Sequence, residues 1–204
     1  MSVATKSGTG ERVFNVPNQL SGLRLALSVV LFVLIGLKYY MSGMAVFLVA
    51  ASTDWLDGYW ARKYGQITTL GRIFDPFVDK IIICGTFIFL VAEPRSGVAA
   101  WMAVVVVGRE LLVTALRNFL EGEGADFSAT MSGKLKMVLQ CTAAVLCLYS
   151  LSYLANASGA AAQIPDWLWW TRQASIYAAV GLTVYSGCEY IARAVQILRR
   201  IGGP

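Results

Sequence analysis

Six apolar stretches, each close to the roughly 20 residues a helix needs to cross hydrocarbon, constrain this chain more than anything else in it. They run over residues 21–42, 44–61, 76–93, 97–118, 134–154 and 172–197. Lipid offers no partner for a free backbone N–H or carbonyl, so a spanning segment closes its hydrogen bonds within itself, as a helix. Of the 204 residues, 57% are apolar and 14% charged, against roughly 25% charged in a soluble domain. The pattern predicts an all-α, polytopic membrane protein with six transmembrane helices, folded as one domain over residues 1–204. Residues 1–13 read as a polar tail. The stretch around Phe14 and Val16 reads as an N-terminal amphipathic juxtamembrane segment, and Asn15-Val16-Pro17-Asn18-Gln19-Leu20-Ser21 as the start of the first span. No short apolar core with a small-residue cleavage site marks a removable leader.

Basic residues orient the spans. Fourteen of the 17 Lys and Arg fall on the side of the termini, and only Lys38, Arg95 and Arg172 on the other. Both termini and the segment around residues 54–79 are therefore expected at the cytoplasmic face. The net charge of +5 is dispersed, which suits positive-inside topology and anionic lipid and gives no reason to expect nucleic acid as a partner. The four cysteines (Cys84, Cys141, Cys147, Cys188) lie inside apolar stretches with no metal-ligand spacing, and histidine is absent. Imidazole catalysis and His-ligated zinc are thereby excluded. Trp167, Trp169 and Trp170 follow the loop at 156–166 and read as an interfacial aromatic belt.

Against this background stand four aspartates. Asp54-Trp55-Leu56-Asp57-Gly58-Tyr59-Trp60-Ala61-Arg62 is followed, eight residues on, by Gly71-Arg72-Ile73-Phe74-Asp75-Pro76-Phe77-Val78-Asp79. Carboxylates are costly in apolar surroundings unless paired or holding a metal. At 100° per residue, Asp54, Asp57, Gly58, Ala61 and Arg62 share one helix face, and Gly71, Asp75 and Asp79 share another. A turn between Lys63 and Leu70 lets the faces meet. Four converging carboxylates would repel one another. Oxygen-only donors suit hard cations, Mg²⁺ or Mn²⁺, and four of them suffice for two ions about 3.5–4 Å apart, the arrangement that clamps a pyrophosphate. Gly58, Ala61 and Gly71 then leave room for a nucleotide against the backbone, and Arg62 can donate to a phosphate.

The pattern Asp-x2-Asp-Gly-x2-Ala-Arg-x8-Gly-x3-Asp-x3-Asp resembles the signature of the CDP-alcohol phosphatidyltransferase family at every fixed position. The flanks Phe14–Arg24, Gly108–Arg117 and Ser132–Lys136 are similar to bacterial members that use glycerol 3-phosphate. The resemblance runs from Phe14 to about Gln140. It implies a six-helix enzyme of the bacterial inner (cytoplasmic) membrane, usually a homodimer. Such an enzyme moves a phosphatidyl group from CDP-diacylglycerol to an alcohol, releases CMP and depends on divalent ions. Carried onto this sequence, it places Asp54, Asp57, Asp75 and Asp79 on the metals, with Asp79 also the catalytic base. It places Gly58, Ala61, Arg62, Thr68, Gly71 and Asn18 around the CDP moiety.

Cations inside apolar spans point to the acceptor. Arg109, Arg117 and Lys134 are expected to hold its phosphate, and Arg109 and Arg117, eight apart, share a helix face. Glu110 can neutralise a neighbour. Lys136, Arg193 and Arg199 are expected to snorkel to the interface. Three cations suit glycerol 3-phosphate or inositol phosphate, and charge alone does not separate them. A neutral or zwitterionic acceptor such as serine has no use for three. The alternatives are therefore a phosphatidylinositol-phosphate synthase or another family member. Outside enzymes the alternative is a divalent-cation transporter, which leaves Gly58, Ala61, Arg62 and Gly71 without a purpose.

Overall fold

The structure, a computed structural model, describes residues 16–64, 69–122, 131–157 and 163–201. Six helices account for nearly all of them: α1 (Val16–Gly36), α2 (Tyr40–Tyr64), α3 (Thr69–Val91), α4 (Ala100–Gly122), α5 (Met131–Asn156) and α6 (Asp166–Ile201). The all-α expectation holds among the described residues, and each apolar stretch falls mostly on one helix. Among the described residues, α5 alone is long and apolar enough to cross a membrane by length and composition, while shorter apolar segments occupy Gly22–Gly36, Tyr40–Thr53 and Lys80–Val91. The expected segment around Phe14 lies outside the described residues.

The first boundary falls earlier than the apolar stretch at 21–42 suggests. Lys38 adopts φ 64°, and the amides of Lys38 and Tyr39 donate back to the carbonyls of Ile35 and Leu34 at 2.9 and 2.8 Å. This paired closure satisfies carbonyls that the helix end would orphan. Glycine usually takes that left-handed position. A lysine there carries no sequence signal, so hydrophobicity alone runs through the turn.

In the bundle, α1 packs on α2 and α3, α5 touches α2, α3 and α6, and α4 rests against α3 and α6. The core lies where α1, α2, α3 and α5 meet, with Leu31, Phe47, Phe87, Leu90 and Leu148 wholly buried. A small residue permits the closest crossing: a Cβ added at Gly85 would fall 2.1 Å from the Phe32 ring. That ring instead lies flat on Phe89, centroids 5.1 Å apart. Outward faces stay apolar, with Val30, Val49, Ile88, Val104, Val138 and Val184 all exposed. The four cysteines are free.

The segment between the acid-bearing helices is shorter than the expected 63–70. Helix α2 runs to Tyr64 and α3 starts at Thr69, so Asp54 and Asp57 lie in the second half of α2 and Asp75 and Asp79 in the first half of α3, at matching distances from the connection. Both ends face the same rim of the bundle.

Candidate active site

The backbone of α2 and α3 carries both halves of the aspartate motif in uninterrupted helix, and the two helices touch. The side chains of Asp54, Asp57, Asp75 and Asp79 lie outside the described residues. So do those of Gly58, Ala61, Arg62, Gly71 and Asn18, and Thr68 falls in the undescribed segment 65–68. The donor set itself, four carboxylates on two touching helices joined by four residues, fits a hard divalent cation and no soft one.

Beside this motif the described side chains build a cluster of buried charge. Lys80, directly after Asp79, stands 3.8 Å from Oε2 of Glu110 on α4. Oε1 of the same glutamate accepts from Nη1 of Arg109 at 3.4 Å and from Nζ of Lys136 on α5. One acid thus faces three cations from three helices. The side chains of Glu110, Arg109 and Lys136 are only 8%, 9% and 5% exposed. In such a setting the one carboxylate offsets part of the positive charge around it, and the cluster stays net positive.

Two of the three residues expected at the acceptor phosphate come together. Arg109 donates from Nε to the Ser186 hydroxyl at 3.2 Å, and its guanidinium lies 5.2 Å from the centroid of the Tyr190 ring, within cation–π range. Arg117, two turns on, donates from Nη2 to the Tyr190 hydroxyl at 3.5 Å, while its Nε is buried without a hydrogen-bond partner among the described residues. The shared face expected for the pair is therefore realised against α6. Lys134 is exposed on α5 and joins neither arginine through a described contact.

Lys136 corrects an expectation. It does not snorkel: it is buried at 4% exposure and bound to Glu110. The acid facing it from α4 makes burial tolerable, and the sequence lacks any mark of that pairing. Arg193 and Arg199 are exposed, as expected, and Arg193 pairs with Glu189 at 2.9 Å. Residues that sequence reasoning passed over include Lys80, Ser186 and Tyr190. The signal available for Lys80 was a cation inside an apolar run, next to an aspartate.

Gly187 makes room for Arg109, since a Cβ there would lie 3.3 Å from Arg109 Cγ. Leucine is the better helix former by about 1 kcal/mol, yet Gly187→Leu should lower the thermal midpoint of the protein in neutral detergent. The added side chain must push Arg109 off Ser186 and Tyr190. A raised midpoint would show that Arg109 yields freely.

A helical bundle whose two touching helices α2 and α3 carry four acids between them, with a cluster of cations around Glu110 that begins at Lys80, defines a class: an enzyme that handles anionic groups. Residues 14–185 match the CDP-alcohol phosphatidyltransferase family. The chain is 31% identical over 203 residues to the CDP-diacylglycerol–glycerol-3-phosphate 3-phosphatidyltransferase of Bacillus subtilis (strain 168), covering 92% of this chain and 98% of that one. It is 32% identical over 194 residues to the protein of that name from Pseudomonas fluorescens, covering 92% and 94%. With the protein of that name from Salmonella choleraesuis (strain SC-B67) identity is 27% over 186 residues, covering 89% and 95%. The chain belongs to the CDP-alcohol phosphatidyltransferase family and is a transferase.

Proposed function

We propose that this protein transfers the phosphatidyl group of CDP-diacylglycerol to the primary hydroxyl of glycerol 3-phosphate, giving phosphatidylglycerophosphate and CMP. The names of the relatives in three bacteria support this acceptor. One observation in the chain itself carries it: two guanidinium groups of α4 converge on Tyr190, and Arg117 Nε has no partner among the described residues. A phosphate monoester supplies the acceptor oxygens that these donors require.

In this reading Asp54, Asp57, Asp75 and Asp79 hold Mg²⁺ or Mn²⁺, two ions by the number of carboxylates. Bound ions of this kind neutralise the carboxylates and the charge that builds on the departing phosphate. Gly58, Ala61 and Gly71 let the cytidylyl group lie against the helix backbone, Arg62 donates to its phosphate, and Asn18 and Thr68 complete its polar contacts. Arg109 and Arg117, with Lys134 at the rim, orient glycerol 3-phosphate. Its hydroxyl oxygen attacks the phosphorus that bears diacylglycerol. The bond to the CMP oxygen breaks, and the hydroxyl proton passes to Asp79. Positioning and charge neutralisation supply most of the rate, as in other phosphoryl transfers.

All six helices span the bacterial inner membrane in this reading, with termini and aspartates cytoplasmic. The apolar outward faces of the bundle support it, and so does the distribution of basic residues. The acyl chains of the donor then stay in lipid while its head group enters between α2 and α3. Two copies of the chain form the working unit.

The test is direct. Purified protein receives CDP-diacylglycerol and Mg²⁺ with glycerol 3-phosphate, inositol phosphate or serine, and the lipid formed is identified. Phosphatidylglycerophosphate is the expected product. A product made only from inositol phosphate would refute the acceptor assignment and leave the family standing. A subtler check is Arg117→Ala. Loss of a charge-assisted hydrogen bond, worth about 1.5–3 kcal/mol, should raise the KM for glycerol 3-phosphate by roughly 10- to 100-fold. The KM for CDP-diacylglycerol should stay near its original value, and equal losses on both substrates would place Arg117 elsewhere.

A further inference from the structure

At the end of the bundle opposite the aspartates lies a second concentration of cationic donors. Arg172 of α6 is 5% exposed. Its Nη1 donates to the carbonyl of Arg95 at 2.9 Å, and its Nε is buried with no hydrogen-bond partner among the described residues. Among the described residues no carboxylate forms an ion pair with it. A guanidinium carries five N–H donors, so one donated bond leaves most of its capacity unused. A buried cation in that condition is expensive.

Arg172 lines a cavity of about 450 Å³ together with Arg95, Gln163, Asp166 and Trp169. Two arginines and one aspartate give it positive charge. Asp166 stands exposed in the first turn of α6, where a carboxylate also complements the helix N-terminus, and it lies beyond ion-pair distance of Arg172. Gly97 packs closely over Arg172. Gly97 has φ 81°, and a Cβ there would sit 2.6 Å from Gln173 Oε1 and 3.4 Å from Arg172 Cζ. The same loop is pinned by the Ser96 hydroxyl, which donates to the Leu90 carbonyl at 2.6 Å and accepts from the Val98 amide at 3.1 Å. Trp167, Trp169 and Trp170 are all exposed beside it, as tryptophans are at the level of lipid head groups.

We propose that this cavity binds a phosphate group, carried by the head group of an anionic phospholipid or free in solution, with Arg172 and Arg95 as its donors. The site goes beyond the transfer reaction and holds for any acceptor alcohol. Its occupant ties the 92–99 loop to the start of α6, at the membrane face away from the catalytic rim.

Thermal unfolding of the full-length protein in dodecyl maltoside tests the idea. The probes are phosphatidylglycerol, diacylglycerol with the same acyl chains, and inorganic phosphate. A ligand well above its dissociation constant should raise the Tm by on the order of 5 °C. Phosphatidylglycerol is expected to do so and diacylglycerol not. Arg172→Gln should abolish the rise, and Arg95→Gln, on an exposed side chain that threatens no packing, should diminish it. Lipid bound at the aspartate end contributes equally to all three proteins and cancels. Inorganic phosphate matching the lipid would name the free anion as the ligand of the same site. A rise that diacylglycerol reproduces, or that both arginine variants retain in full, would overturn the proposal.

Discussion

Asp79→Asn should reduce phosphatidyl transfer by at least ~10³-fold, the largest single loss expected for this protein. Two effects combine. General-base assistance is typically worth about 10²–10⁴ in rate, and asparagine cannot accept the proton. The substitution also removes one of four negative charges from the metal-holding set. Aspartate is a weak base for a free alcohol, since a carboxylic acid has a reference pKa of about 4. Proton transfer becomes favourable only as the nucleophile acidifies along the reaction coordinate. The volume of the side chain is nearly unchanged, so α3 should keep its place and CDP-diacylglycerol should still bind. Turnover and nucleotide binding, measured on the same preparation, check this. Near-normal turnover would remove Asp79 from the proton path, whereas a joint loss of binding and turnover would make it a metal ligand only.

Glu110→Ala should be the most destabilising substitution in the described part of the chain. Removing one partner of a buried ion pair costs about 3–5 kcal/mol, a large part of the roughly 5–15 kcal/mol that holds a domain together. Here the loss leaves Lys136, Arg109 and Lys80 facing one another without their shared acid. At about 2–4 °C per kcal/mol for a chain of this length, the Tm should fall by on the order of 10 °C. The double variant Glu110→Ala with Lys136→Met should recover much of that loss. It removes the buried ammonium and fills its path with apolar atoms. A single variant as stable as the parent, or a double variant no better than the single, would show that the cations relax into solvent and that the cluster is not a structural tie. Expression yield and thermal unfolding in detergent read both outcomes.

Much of this protein was open to a reader of its sequence. The helices followed from the apolar stretches, since each of the six helices holds most of one stretch. The acidic motif could be placed on two helices from its spacing, because helical periodicity is a local property of the chain. The eight-residue interval between Arg109 and Arg117 announced a shared face, and both side chains do meet Tyr190. Local rules failed where a residue took an unusual conformation or a distant partner. Lys38 ends α1 in a left-handed turn that hydrophobicity does not register. Lys136 was assigned to the interface because its partner lies 26 residues away, on another helix.

Composition, periodicity and a spaced set of carboxylates are enough to specify an all-helical chain, the two helices that carry the acids and membership of a family, since each depends on neighbours along the chain. How the buried charges are matched belongs to another level. It depends on how each helix is rotated and on what faces it, so it came into view only with the helices in place. Glu110 became the common partner of three cations in that way. By the same packing Arg172 came to rest in a pocket where, among the described residues, no carboxylate pairs with it. Coulomb energy in a low-dielectric interior is set by distances of a few ångströms between groups far apart in sequence, and one-dimensional order does not contain those distances.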